Sequence, residues 1–229
     1  MLKSKVAALL LTGFCFVGPS HATQISYYLD QSNRLADGIN YLKVTLSDEG
    51  APGDIDFTVE ALQPLLDLAG KNFGIQKFAF NVVGGVGAEA RDVDALPEKW
   101  RARNGGRMDG FGLFDIRAQG RGGSREDPLT FSISGVDFDT IQSYVDLSTG
   151  RAPEGFSLFS AQVWGLNSGN CGGKDEDKKD SSDHQFGRCI RSAYFGGTTA
   201  VPAPPAVWLL GTGILGLVAR RFRSAKAPS

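Results

Sequence analysis

Three cysteines and two histidines are all that this chain of 229 residues offers for covalent or imidazole chemistry. His21 falls in a leader expected to be removed, which leaves His184 alone. One imidazole cannot build a nucleophile–histidine–acid triad or a multi-histidine metal centre. Carboxylates remain. Asp54 with Asp56, Asp92 with Asp94, and Asp137 with Asp139 are spaced i, i+2, which on a strand puts both acids on one face. Two acids at the right separation are all that a glycosidase needs. The first pair is already explained as the solvent face of an alternating strand, so no residue is assigned a catalytic role.

Cys15 leaves with the leader, so Cys171 and Cys189 are expected to form a disulfide in an oxidising compartment. Counting both ends, that bond closes a loop of 19 residues, worth ~3 kcal/mol on the chain-entropy account. It encloses 172–188, GGKDEDKKDSSDHQFGR, whose Asp175, Glu176, Asp177, Asp180 and Asp183 invite a calcium reading. Lys174, Lys178 and Lys179 interleave with them and oppose a cation, and the spacing is not that of an EF-hand. A zinc site from Cys171, His184 and Cys189 lacks the close cysteine pair of zinc modules. No metal site and no cofactor is expected. Gly84, Gly85 and Gly87 follow a strand, but Glu89 and Ala90 stand where a phosphate loop needs lysine and a hydroxyl, so the segment is a turn. Aromatic side chains can stack on the C–H faces of sugars. Trp100, between Lys99, Arg101 and Arg103, is the candidate for an exposed glycan contact, whereas Trp164 lies in an apolar run that suggests burial.

The elements that must carry these residues are strands. In 54–61, Ile55, Phe57, Val59 and Ala61 alternate with Asp54, Asp56, Thr58 and Glu60, and 129–133 repeats the pattern. Weaker strand signals occupy 25–29, 39–46, 73–83, 111–118, 156–166 and 190–195. Turn clusters lie at 47–53, 84–87, 104–106, 120–123 and 148–155. Helical spacing occurs only at 63–68 and at 139–147, where Asp139 is a candidate cap. Thirty glycines and fifteen phenylalanines against two methionines also favour turn-rich β structure. The expected fold is all-β, a single antiparallel β-sandwich or jelly roll over 23–200, with strand order left open.

Charge is distributed unevenly along the chain. The ends take six of the 24 bases and none of the 25 acids, so 23–200 keeps 18 against 25, a net of −7. An acidic domain has little to offer a polyanion, and no nucleic-acid partner is expected.

Both ends read as addresses. Lys3 and Lys5 precede an apolar run over 6–17, and Ser20, His21 and Ala22 supply a cleavage site before Thr23, the pattern of a signal peptide over 1–22. The run is too short for a spanning helix, which needs ~20 residues. Acylation at Cys15 would require a small preceding residue, and Phe14 stands there. At the other end, Val201, Pro202, Pro204 and Pro205 precede the apolar segment 206–219 and then Arg220, Arg221 and Arg223. The prolines fix the start of a short transmembrane helix, and the arginines have the positive-inside sense. Trp208 and the glycines 211, 213 and 216 lie within it. The alternatives are a plain membrane anchor and a buried helix. Three glycines are poor choices for a soluble helix interior, at ~1 kcal/mol each relative to alanine.

This tail, over 201–229, resembles the PEP-CTERM sorting signal of exported proteins in Gram-negative bacteria. The likeness rests on Val201, Pro202, Pro204, Trp208, Gly211, Gly213, Gly216, Arg220 and Arg221, with Leu209, Leu215 and Leu217 between them; Ala203 stands where the name-giving pattern has glutamate. The resemblance implies export through the Sec machinery, a transient stay in the inner membrane, and recognition by an exosortase, a membrane transpeptidase that cuts near the prolines. Delivery to the cell surface or the extracellular polysaccharide matrix would follow. The core, with Tyr27-Tyr28-Leu29, the run 40–45, the run 108–112 and Phe195-Gly196-Gly197, is similar to other proteins so tagged. The expected function is that of a structural or adhesive matrix protein; a carbohydrate-binding module and a carboxylate-dependent glycan-degrading enzyme are the alternatives.

Overall fold

The computed structural model describes residues 24–51, 53–168 and 189–200. They form an all-β domain of two antiparallel six-stranded sheets. In chain order the strands are β1 (Gln24–Leu29), β2 (Gln31–Ser32), β3 (Leu42–Ser47), β4 (Ile55–Ala61), β5 (Ala69–Phe80), β6 (Val93–Asp94), β7 (Trp100–Met108), β8 (Gly112–Gly120), β9 (Leu129–Ile133), β10 (Phe159–Ser168), β11 (Ile190–Gly197) and β12 (Thr199–Ala200). Sheet 1 has the order β12-β1-β3-β4-β9-β6, and sheet 2 the order β2-β11-β10-β5-β8-β7.

Each sheet is half apolar because the strands alternate. In β4, Ile55, Phe57 and Val59 are buried while Asp56 and Thr58 are not; in β9, Leu129, Phe131 and Ile133 are buried. These strands pair in register, Phe57 opposite Phe131, so their rings stack at 4.8 Å with planes 11° apart. Phe57 also meets Phe78 and Phe80 of β5 in the other sheet, at 6.3 and 5.0 Å. Tyr27 on Phe159 and Tyr41 on Phe195 make further contacts between the sheets. The apolar faces of the two sheets therefore close on each other as in a sandwich.

Two of the chain's passages between the layers carry helical turns. After β4, a single helical turn, α1 (Gln63–Leu66), starts with proline in its first turn and inserts buried Leu65 into the core. The second helical signal is a 3₁₀ turn, Ile141–Tyr144, capped by Thr140 rather than Asp139. Asp139 instead accepts a hydrogen bond from the Tyr144 hydroxyl. Burial and this acidic partner both hold the Tyr144 phenol far above its ordinary pKa. The glycine-bearing segment 104–106, read from sequence as a turn, lies instead inside β7.

Phe57→Ala removes the ring that touches four others from both sheets. The expected loss is about 3–5 kcal/mol, read from urea unfolding; a loss below about 1 kcal/mol would show that this cluster is not what joins the sheets.

Candidate functional site

The outer face of sheet 2 carries the features of a binding surface. Strand register places side chains that share a face. Tyr194 of β11 lies opposite Gln162 of β10, Gln162 opposite Lys77 of β5, Lys77 opposite Gln119 of β8, and Gln119 opposite Arg101 of β7. The row reads aromatic, amide, cation, amide, cation across five strands. Lys77 Nζ donates to the Tyr194 hydroxyl at 3.1 Å and stands 5.6 Å from its ring centroid. Gln162 is 6% exposed, and its Oε1 accepts no hydrogen bond among the described residues.

Beside this row stands Trp164, 36% exposed, with the Arg125 guanidinium 5.3 Å from its ring centroid. Arg125 is fixed from below: Nε donates to Gln76 Oε1 at 3.2 Å, and Nη1 donates to the Asn72 carbonyl. Gln76 in turn donates to the carbonyls of Gly120 and Ser124 at 2.6 and 3.2 Å. Partial burial lowers the Arg125 pKa, yet an arginine starts so far above neutrality that it stays charged. The backbone of Glu126 pairs with Ile75, at 2.9 and 3.1 Å, and so straps the arginine loop to β5. Trp164 and Arg125 separate two shallow hollows of about 460 and 540 Å³. Lys71, Asn167 and Arg191 line the first, and Lys77, Gln119 and Gln162 line the second.

Two glycines make this geometry available. Register shifts occur in β10 between Trp164 and Leu166, where Gly165 has φ +76° and a Cβ would lie 2.5 Å from the Asn72 carbonyl oxygen. Gly74, at φ +147°, faces Arg125 so closely that a Cβ would lie 3.1 Å from the arginine Cβ. The bulge lets Leu166 return to the core while Trp164 stays outside.

The two tryptophans therefore exchange the places expected from sequence. Trp100 is 6% exposed and packs in the core, which overturns its reading as an exposed glycan contact. On β7 it shares the inward face, while Arg101 and Arg103 are exposed. Trp164 is the exposed ring. The phase of β10 held the signal: Phe159, Ala161 and Val163 are fully buried, so Ser160, Gln162 and Trp164 belong to the opposite face.

Three of the six paired carboxylates are used locally. Asp92 accepts from the Glu89 backbone at 2.8 Å, Asp94 accepts from the Ser134 hydroxyl, and Asp139 from Tyr144. Among the described residues, no group of three or more histidine, cysteine or acidic side chains is placed to hold a metal. Cys189 is disulfide-bonded. Cys171, His184 and the rest of the acidic loop lie outside the described residues, as do Ala22 and Thr23 of the cleavage site. The sorting-signal residues Val201, Pro202, Pro204, Pro205, Trp208, Gly211, Gly213, Gly216, Arg220 and Arg221 also lie outside them. No helix among the described residues is long and apolar enough to cross a membrane.

Charge divides between the layers in a way the chain total conceals. The strands of sheet 2 carry Lys71, Lys77, Arg101, Arg103, Arg107, Arg117 and Arg191 against the single acid Asp115. Those of sheet 1 carry Lys43 against Asp56, Glu60 and Asp94. Lys43 pairs with Glu60 at 2.8 Å. Among the described residues, Lys71, Lys77, Arg101, Arg103, Arg107 and Arg117 form no ion pair. A domain with net negative charge thus presents one basic sheet. Compared with known proteins, the chain matches no family model, no curated protein and no solved structure.

Gly165→Ala forces a side chain against the Asn72 carbonyl at a positive φ and is expected to cost at least about 1 kcal/mol. A matching shift in tryptophan emission is expected, since Trp164 is displaced. An unchanged spectrum and melting temperature would show that the bulge does not set the position of this ring.

Proposed function

We infer that this chain is an exported cell-surface or extracellular-matrix protein with an adhesive role, and that it adheres to polysaccharide through the outer face of sheet 2. The observation that carries the reading is Trp164, a large ring 36% exposed on a β-sheet face and held beside a fixed guanidinium. A pyranose ring offers apolar C–H faces that pack on such a ring, while its hydroxyls need donors and acceptors around it. Gln119, Gln162 and Tyr194 supply those at neighbouring register positions. Polar groups already fixed by the fold lose little freedom on binding, which favours affinity on an open surface.

Export is supported by the two ends of the sequence. The leader over 1–22 and the PEP-CTERM-like tail over 201–229 imply passage through the Sec machinery and processing by an exosortase-type transpeptidase. Apolar segment 206–219 would hold the chain in the inner membrane until that step. The folded part would then stand outside the cytoplasm, where Cys171 and Cys189 can remain oxidised.

Trp164→Ala is expected to abolish retention on immobilised exopolysaccharide of the producing cells, with the melting temperature within a few degrees of the parent. Retention unchanged by that substitution would sink the assignment of this face. The product recovered outside the cell is expected to begin at Thr23 and end within 202–205, as read from intact mass. A product that keeps Arg220 and remains in the inner membrane would overturn the sorting step.

A further inference from the structure

We propose that this face selects an acidic polysaccharide, one with carboxylates along its backbone, over a neutral one. The inference rests on the reading of sheet 2 as a glycan-binding face and adds the chemical class of the ligand. It is carried by the division of charge between the sheets. The domain as a whole is acidic, yet three cations of sheet 2, Lys77, Arg101 and Arg103, make no ion pair among the described residues. Asp115, the one acid on these strands, accepts a hydrogen bond from the Val82 backbone at 3.0 Å. Glu126 adjoins Arg125 in sequence and is the acid nearest to it along the chain. A row of unneutralised cations on one face costs self-repulsion, which an anionic ligand relieves.

The spacing of the row points to a glycan. Adjacent strands lie about 4.8 Å apart, so cations on β5 and β7, with the amide of β8 between them, stand about 10 Å apart. Lys77 and Arg101 hold these two positions, with Gln119 between and Gln162 beyond. Cation, amide, cation, amide matches a chain whose carboxylates are separated by hydroxyl-bearing stretches. A polyphosphate carries a denser charge, about one per 1.7 Å of duplex axis, and would meet only alternate side chains here while the acidic remainder of the domain repels it. Gln162 lines the hollow beside Trp164 and sits between Lys77 and Tyr194 in the row. Lys77 is held by Tyr194 and Arg125 by Gln76 and Asn72, so the charges stand in place before the ligand arrives.

The test compares polygalacturonate with its fully methyl-esterified form, two polymers of one backbone that differ in charge, and single-stranded DNA as a third probe. The full-length protein is run in affinity electrophoresis against each. The expected result is retardation at least about tenfold stronger by polygalacturonate than by the ester, weakening as salt shortens the range of charge interactions. The double variant Arg101→Gln, Arg103→Gln is expected to bring retardation by polygalacturonate down to the level of the ester. Lys43→Gln, on the opposite sheet, is expected to change neither. Thermal melting of each variant separates loss of binding from loss of fold. Equal retardation by both polymers, abolished for both by Trp164→Ala, would overturn the charge selection and keep the glycan-binding face. Retardation by either polymer that Trp164→Ala leaves intact would overturn the face itself. No retardation by polygalacturonate, or tighter binding of DNA than of polygalacturonate, would overturn the acidic-glycan assignment.

Discussion

The stack of Phe57 on Phe131, with Phe78 and Phe80 meeting it from the opposite sheet, sets a constraint felt across the molecule. A strand has a period of two, so the choice of which side chain points inward also decides every side chain that points outward. Once Phe78 is committed to the core, Lys77 must face solvent. Once Phe159, Ala161 and Val163 are committed, Gln162 and Trp164 must face away. The proposed binding surface is therefore the other side of the core, laid down by the same packing decision. Slipping a strand by one residue would cost the buried rings, which makes the outer row as well specified as the interior.

That coupling explains how an acidic chain can present a basic face. Net charge governs long-range behaviour, but contact is made with a face, and the alternation sorts charges to faces independently of their total. Composition placed 25 acids against 18 bases in 23–200, and from that total a polyanion looked excluded as a partner. In the fold, several acids are spent in local roles: Asp92 accepts from the Glu89 backbone, Asp139 accepts from Tyr144, and Glu60 pairs with Lys43. Lys77, Arg101 and Arg103 of sheet 2 form no ion pair among the described residues. A dense polyanion would meet the charge of the whole domain, whereas a sparse anion of the kind proposed would meet that of one sheet.

Legibility in the sequence followed the strength of the alternation. All eight segments read as strands are strands, and 129–133 matches β9 residue for residue. β7 was missed because its sequence, WRARNGGRM, offers only Trp100, Ala102 and Met108 as apolar residues and contains two glycines. Its pairing with β8, not its own pattern, makes it a strand. The tryptophans were misplaced for a related reason. Charged neighbours suggested exposure for Trp100 and apolar neighbours suggested burial for Trp164, but neighbours in a strand point the opposite way. Phase decides, and Arg101 and Arg103 flanking an inward Trp100 are what phase requires. The bulge at Gly165, which returns Leu166 to the core, had no sequence signal beyond the glycine itself, since its cause is the approach of the Asn72 and Phe73 backbone.

The edges of the sheets bear on the same surface. Three of the four edge strands, β2, β6 and β12, are two residues long and offer almost no ladder to another chain. The fourth, β7, is nine residues long and would be a template for edge-to-edge association. Arg101, Arg103 and Arg107 lie along it at alternate positions, and a second copy docking there would bring like charges together. The arginines that make the face basic thus also keep this edge from pairing with itself. On the proposed function the two effects would reinforce each other: an anionic chain laid across the row would neutralise the cations, while bare copies repel. The proposed adhesion through a polymer would then be favoured over direct aggregation, because the long edge that could aggregate is the one that carries the charge.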